Sequence, residues 1–153
     1  MSYTLHQMAM IHQHKGEHEE ALKLYNQSLE IHKKLGDQSG VSYTLHQIAN
    51  IHYVKGEYDE ALKLYNLSLE IKEKLGDQSG IASTLGQIGK LHFARENYKD
   101  ALKNFIIAAS ILKRLGLPDL QLALKLMRSV HEAVGEEKFK QLMEELQGEE
   151  ISI

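Results

Sequence analysis

Apolar residues recur at steps of three and four along most of the chain, in stretches separated by glycine. Between Val41 and Gly56 the apolar positions include Leu45, Ile48, Ala49 and Ile51. A second series after Gly56 includes Tyr58, Ala61, Leu62, Leu64, Tyr65, Leu69 and Leu75. This spacing places each series on one face of an α-helix. Gly56 and Gly76 are predicted to end the two helices, because glycine readily adopts the left-handed backbone of a C-cap.

The same pair of helical patterns occurs three times, at a spacing of forty residues. Residues 2–40 match residues 42–80 at 30 of 39 positions, and a more diverged copy occupies residues 81–116. The sequence GDQSG occurs at residues 36–40 and again at 76–80. Its first glycine suits the end of one helix, and its aspartate has the acceptor side chain favoured at the N-cap of the next. Such self-similarity predicts a solenoid of helical hairpins.

After Gly116 the period fails, and two further apolar stripes follow Pro118, whose fixed φ suits the first turn of a helix. The stripes end near Gly135 and at Gly148. We therefore divide the chain into three tandem units, residues 1–40, 41–80 and 81–116, followed by residues 117–153. This last region is predicted to be a diverged capping helix pair with an acidic tail. The predicted fold class is all-α, in agreement with a single proline in 153 residues.

The small and aromatic residues of each unit resemble the tetratricopeptide repeat. The matching residues of the second unit are Leu45, Ala49, Gly56, Tyr58, Ala61 and Tyr65. The usual repeat has about 34 residues; the longer period here is similar to that of Pins-type polarity adaptors and kinesin light chains. The resemblance covers residues 2–116 and implies a right-handed α-solenoid of about three hairpins. The third unit departs from the pattern at its turn, where Glu96 and Asn97 replace Gly-Glu.

The resemblance also implies that the first helix of each unit lines a concave groove that holds a partner. The groove residues assigned by position are Tyr3, His6, Met10, Gln13, His14, Tyr43, His46, Asn50, Tyr53, Lys90 and Phe93. Three of the nine differences between the first two units lie on this face, at positions 10, 13 and 14. Variation there is expected of a binding surface, and equally of exposed positions that drift. Tyrosines among imidazoles and amides suit an extended peptide or a partner helix.

A carboxylate clamp like that of the chaperone-adaptor members of the family is not expected. Asn50 stands at one clamp position, but His46 replaces the lysine of that clamp, and Ser83 and Gln87 replace its basic pair. His12, His52 and His92 share one repeat position and are predicted to be packed and hydrogen-bonded within their units. His6 and His46 share another, with His14 the only obvious third ligand. Because a metal site needs three or four ligands, no physiological metal site is predicted.

Composition and motifs narrow the function classes. The net charge of −3 and the pI near 6.3 give no basic field for nucleic acid or an anionic membrane. No apolar run approaches the roughly 20 residues of a membrane span, and cysteine is absent. There is no phosphate loop, nucleophile elbow or His-Glu-x-x-His helix. We therefore expect no enzyme, no cofactor, no nucleic-acid or membrane partner, and a cytoplasmic location.

The leading functional hypothesis is a non-catalytic scaffold that binds a peptide or helix of another protein in the groove. Two alternatives stay open. The chain could self-assemble, head to tail or by helix exchange, through a first unit that lacks a capping segment. It could also be the regulatory segment of a larger signalling protein. The near-identity of neighbouring units favours a piece of a longer array over a complete protein.

Overall fold

The computed structural model describes residues 1–149, and within them the chain forms eight α-helices and no strand. The helices are α1 (Ser2–His14), α2 (His18–Leu35), α3 (Gln38–Val54), α4 (Tyr58–Leu75), α5 (Gln78–Ala94), α6 (Tyr98–Leu115), α7 (Leu120–Val134) and α8 (Glu136–Gly148). The predicted all-α class and the paired arrangement of the repeats are confirmed. None of these helices is both long enough and apolar enough to cross a membrane.

The joints between hairpins form as their sequence predicts. Gly36 and Gly76 end α2 and α4 in the left-handed conformation, with φ of 66° and 69°. One residue later, an Asp37 carboxylate oxygen accepts the Gly40 N–H at 3.0 Å, which caps the first turn of α3. Asp77 accepts the Gly80 N–H in the same way at 3.0 Å. The GDQSG sequence therefore ends one helix and starts another, twice.

The first compact unit, Met1–Gly76, contains α1 to α4. Its core is built where the small residues Ala9 and Ala21 let two helices approach closely, beside the fully buried ring of Tyr25. Leu45 and Ile48 of α3 close the same cluster. Burial of apolar surface at these contacts, rather than helix propensity, supplies most of the stability of helices this short.

The second compact unit, Asp77–Ile153, contains α5 to α8 and is described as far as Glu149. Its core joins Leu102 and Phe105 of α6 to Val130 of α7 and Leu146 of α8. The predicted C-terminal helix pair is thus present. Residues 150–153 of the predicted acidic tail lie outside the described residues.

Two local features of the second unit differ from expectation. Pro118 lies in a turn that precedes α7, not in the first turn of that helix, and Asp119 occupies the N-cap position. In the turn between α5 and α6, Glu96 has a φ of 59°. Gly16 and Gly56 occupy the equivalent turn positions with φ of 76° and 78°, so Glu96 adopts a backbone that suits glycine better.

Candidate partner-binding faces

The first candidate face is formed by α1 and α3 in the first compact unit, and we call it the α1/α3 face. A cleft of about 540 Å³ opens between Tyr3, Met10 and Tyr43. Tyr3 is 74% exposed and Tyr43 is 45% exposed. The Tyr43 ring also contacts the His6 ring, with centroids 4.7 Å apart, so this aromatic surface joins the two helices.

His6 and His46 lie deeper than the sequence suggested. Both are buried, and their rings pack edge-on against Tyr25 and Tyr65 with centroids 5.2 and 5.5 Å apart. Burial lowers the pKa of His46 to about 3, helped by the positive charge of Lys72. Burial also lowers the pKa of His6. The two histidines are therefore neutral and buried, not exposed contact residues, and of the two His6 lines the cleft.

Two other predicted groove residues accept hydrogen bonds from the hydroxyls of the buried tyrosines. Tyr25 donates its hydroxyl to Gln13 Oε1 at 2.7 Å, and Tyr65 donates to Asn50 Oδ1 at 2.6 Å. The acceptors occupy different repeat positions, because position 13 of the first unit corresponds to position 53 of the second. The amide has therefore moved by three residues, about one helical turn, and still accepts a hydrogen bond from the equivalent tyrosine hydroxyl.

A second cleft of the first unit, about 400 Å³, is bordered by Met10, His14 and Val54. The side chain of His14 is exposed, and its Nδ1 lies 2.7 Å from the Met10 carbonyl oxygen. Tyr53 contacts the Tyr58 ring, with centroids 5.6 Å apart, and burial raises its pKa. His14 and Val54 thus stay accessible, whereas Tyr53 is partly covered.

The second candidate face lies in the second compact unit, between α5 and α7, and we call it the α5/α7 face. A cleft of about 280 Å³ there is lined by residues of both helices and of α6. Its polar rim includes Ser83, Gln87 and Lys90. The other residue predicted for this unit, Phe93, does not line the cleft and packs against Tyr98 with centroids 5.4 Å apart.

Two of the three repeated histidines outside the faces form a hydrogen bond with a nearby glutamate. His12 pairs with Glu17, and His52 Nδ1 lies 2.5 Å from Glu57 Oε2, so the predicted hydrogen bond within the unit is confirmed for both. In the third repeat, Asn97 stands at the position of Glu17 and Glu57, so His92 has no glutamate at that position. Among residues 1–149, no cluster of three or more potential metal ligands occurs.

Comparison with a protein family identifies the repeats. The family described as tetratricopeptide repeat matches residues 1–74 and 40–114, which together cover most of the chain. No curated protein sequence matches.

Several crystal structures are similar in fold. BtubC (BKLC) from P. vanneervenii has a TM-score of 0.79 and 18% identity, over 97% of this chain and 65% of that one. Nearly identical TPR-like repeats from Podosopora anserina, described as those of a kinesin light chain, have a TM-score of 0.73 and 19% identity, over 94% and 72%. Aspartyl phosphate phosphatase F from Bacillus subtilis has a TM-score of 0.86 and 18% identity, over 94% and 38%. At these identities the likeness concerns the fold alone.

Proposed function

The chain belongs to the tetratricopeptide-repeat family, and from this premise we propose that its α1/α3 face and its α5/α7 face each bind a peptide segment or helix of a partner protein. The family suggests protein partners in general; the faces and the bound segment are our proposal. The observation that carries it is the exposed pair Tyr3 and Tyr43 beside an open cleft. Tyrosine offers a large contact area at a small entropic cost and a hydroxyl that can bond the partner backbone.

We propose a binding role without catalysis. Tetratricopeptide repeats are generally non-catalytic scaffolds, and only one of the similar structures cited above carries an enzyme name. This chain spans 38% of that phosphatase and 65% of BtubC, so the activities of those whole proteins are not transferred. The same faces would also serve a regulatory segment of a larger protein. The cytoplasmic location stays a prediction from the sequence.

The structure changes which residues should be tested. His46 is buried and Asn50 holds the Tyr65 hydroxyl, so replacing either would disturb the core of the first unit. Tyr3→Ser with Tyr43→Ser removes exposed aromatic surface from the α1/α3 face. Leu35→Ser with Leu67→Ser is the matched control, because it removes exposed apolar surface from α2 and α4 of the same unit.

The test is selection of binding peptides from a displayed random library, followed by calorimetry on the selected peptides. We expect the Tyr3→Ser/Tyr43→Ser variant to lose at least tenfold in affinity, about 1.4 kcal/mol, since buried aromatic anchors dominate such interfaces. The leucine control should bind like the native chain. Equal loss in both variants, or no loss in either, would contradict binding on this face. Thermal unfolding of each variant shows whether the fold is retained.

A second candidate function is self-association through α1. Met8 is 43% exposed and Ile11 is 55% exposed, whereas their counterparts Ile48 and Ile51 in α3 are 4% and 0% exposed. Adjacent exposed apolar residues are typical of an interaction surface. Sedimentation of the native chain against Met8→Lys/Ile11→Lys tests this candidate. A concentration-dependent dimer that the variant loses would support it, and a native monomer at all concentrations would exclude it.

A further inference from the structure

The three repeats differ at one position, and in the third repeat this position lines the cleft of the α5/α7 face. His6 and His46 occupy this position in the first two units, each packed on a buried tyrosine ring. In the third unit the histidine is replaced by Gly86 and the tyrosine by Phe105. Gly86 and Phe105 both line the 280 Å³ cleft. The histidine ring present in the first two repeats is therefore missing from the lining of this cleft.

Gly86 is not required by packing. A Cβ added at Gly86 would meet no atom within 4 Å, apart from its own helix. Gly89, in the same helix, contrasts with it, because a Cβ there would lie 2.4 Å from Phe105 Cε1. Glycine is unfavourable in the interior of a helix. The packing of Phe105 accounts for Gly89, whereas Gly86 leaves open space and has no such explanation.

The cleft combines an apolar interior with one cation. The apolar lining residues are Ala82, Phe105, Ala108, Leu112, Leu122, Ala123 and Leu126. Lys90 lies at the rim, and within residues 1–149 it forms no ion pair. Asp119, the acidic member of the lining, immediately precedes α7. A ligand carboxylate is therefore attracted towards Lys90 and repelled by Asp119.

We propose that this cleft takes an aromatic side chain of a partner peptide, with a carboxylate of the same peptide paired to Lys90. The ring would fill the space that His6 and His46 fill in the first two repeats, and Phe105 would supply an apolar floor in place of tyrosine. This inference rests on the proposed function, because it names the chemistry of one anchor of the bound peptide. It is specific to the third repeat, which alone has glycine at this position.

The probe that tests the cleft is 3-phenylpropanoate, which carries one ring and one carboxylate. Its binding is followed by amide chemical shifts of the isotope-labelled chain. We expect saturable shifts at Ser83, Lys90 and Ala123, with a Kd of about 1 mM, as is reasonable for a ligand of this size. The uncharged 3-phenylpropanol should bind about two- to fivefold more weakly, because an exposed ion pair contributes little.

Gly86→His is the decisive variant, because it restores the residue that the chain itself uses at the two equivalent positions. It should abolish the shifts, and Gly86→Leu should do the same if the histidine variant folds poorly. Lys90→Gln should remove the preference for the acid over the alcohol. Unsaturable shifts in the native chain, or equal binding to Gly86→His, would overturn the inference.

The peptide-selection experiment separates this inference from the proposed function. If selected peptides bind the α1/α3 face but 3-phenylpropanoate does not bind the cleft, the proposed function stands and the cleft inference fails. If the probe binds but selected peptides bind Gly86→His as well as the native chain, a partner peptide is the wrong occupant. A dimer that Gly86→His dissociates would likewise replace the partner peptide by a second copy of the chain.

Discussion

Asn50→Met gives the second repeat the residue that the first repeat has at the same position, Met10. The cost in stability can be worked out from one hydrogen bond. Tyr65 is fully buried and donates its hydroxyl to Asn50 Oδ1 at 2.6 Å. Methionine offers no comparable acceptor, so the hydroxyl stays buried without a partner. Such a loss costs about 1–3 kcal/mol. With about 2 kcal/mol lost and 2–4 °C per kcal/mol for a chain of this length, the melting temperature should fall by about 4–8 °C.

The first repeat shows how the lost hydrogen bond can be replaced. Adding Tyr53→Gln supplies an amide at the position that Gln13 occupies, so Asn50→Met/Tyr53→Gln should recover at least half of the lost stability. Tyr65→Phe removes the hydroxyl itself, so Asn50→Met should cost less in that background than in the native chain. The single Tyr53→Gln variant must also be measured, because Tyr53 gives up its ring contact with Tyr58.

The assay is urea unfolding followed by far-UV circular dichroism, with midpoints compared at a common m-value. Two double-mutant cycles, Asn50 with Tyr53 and Asn50 with Tyr65, isolate the pairwise free energies. We expect coupling of about 1 kcal/mol in each cycle. Coupling close to zero in both cycles would refute the interpretation that the amide acceptors are interchangeable. The differences at these positions would then have to be attributed to drift or to binding.

Three further predictions concern backbone strain, close packing and protonation. Glu96→Gly should raise the melting temperature, because a left-handed backbone such as φ 59° costs a non-glycine residue about 1–2 kcal/mol; an unchanged melting temperature would argue against strain. Gly89→Ala should lower the unfolding free energy by about 1–3 kcal/mol, because its Cβ would lie 2.4 Å from Phe105 Cε1. Phe105→Leu in the same background should recover part of the lost free energy, as measured by urea unfolding. Acidification should destabilise the chain through His46. In the folded chain, burial and the charge of Lys72 lower the pKa of His46 to about 3. In the unfolded chain the same histidine binds a proton below its ordinary pKa of about 6.5, so protons favour the unfolded state. Between these values the loss reaches at most about 1.4 kcal/mol per pH unit, and His46→Gln should flatten the dependence of the urea midpoint on pH.

The features that the sequence predicts well are those carried by short local patterns. The joint from Gly36 to Gly40 could be predicted because a left-handed C-cap favours glycine and an N-cap favours aspartate, whatever lies around them. The helices could be predicted because apolar spacing is repeated in three copies. The sequence predicts Pro118 in the first turn of a helix, but α7 begins two residues later, at Leu120. Helix boundaries depend on packing that a local pattern does not contain.

The depth of individual groove residues could not be predicted from position alone. His6 and His46 lie on the helix that the family pattern assigns to the groove, yet their rings turn inwards onto tyrosines. A histidine suits a half-polar interior as well as a surface, so its type did not decide between them. Identity between the first two repeats does not decide the matter either, because the exposed Tyr3 and Tyr43 also share one position.

The differences among the repeats now fall into two physical classes. The changes at positions 13 and 50 move an amide and keep a buried hydroxyl satisfied, so they are explained inside the first unit and do not by themselves indicate binding. The change to Gly86 does the opposite: it removes a packed ring from the lining of a cleft and is compensated by no contact that a larger residue would disturb. A substitution that costs packing without an internal reason is the stronger indication of function. The third repeat, the most diverged from the family pattern, is therefore where a specific ligand should be sought first.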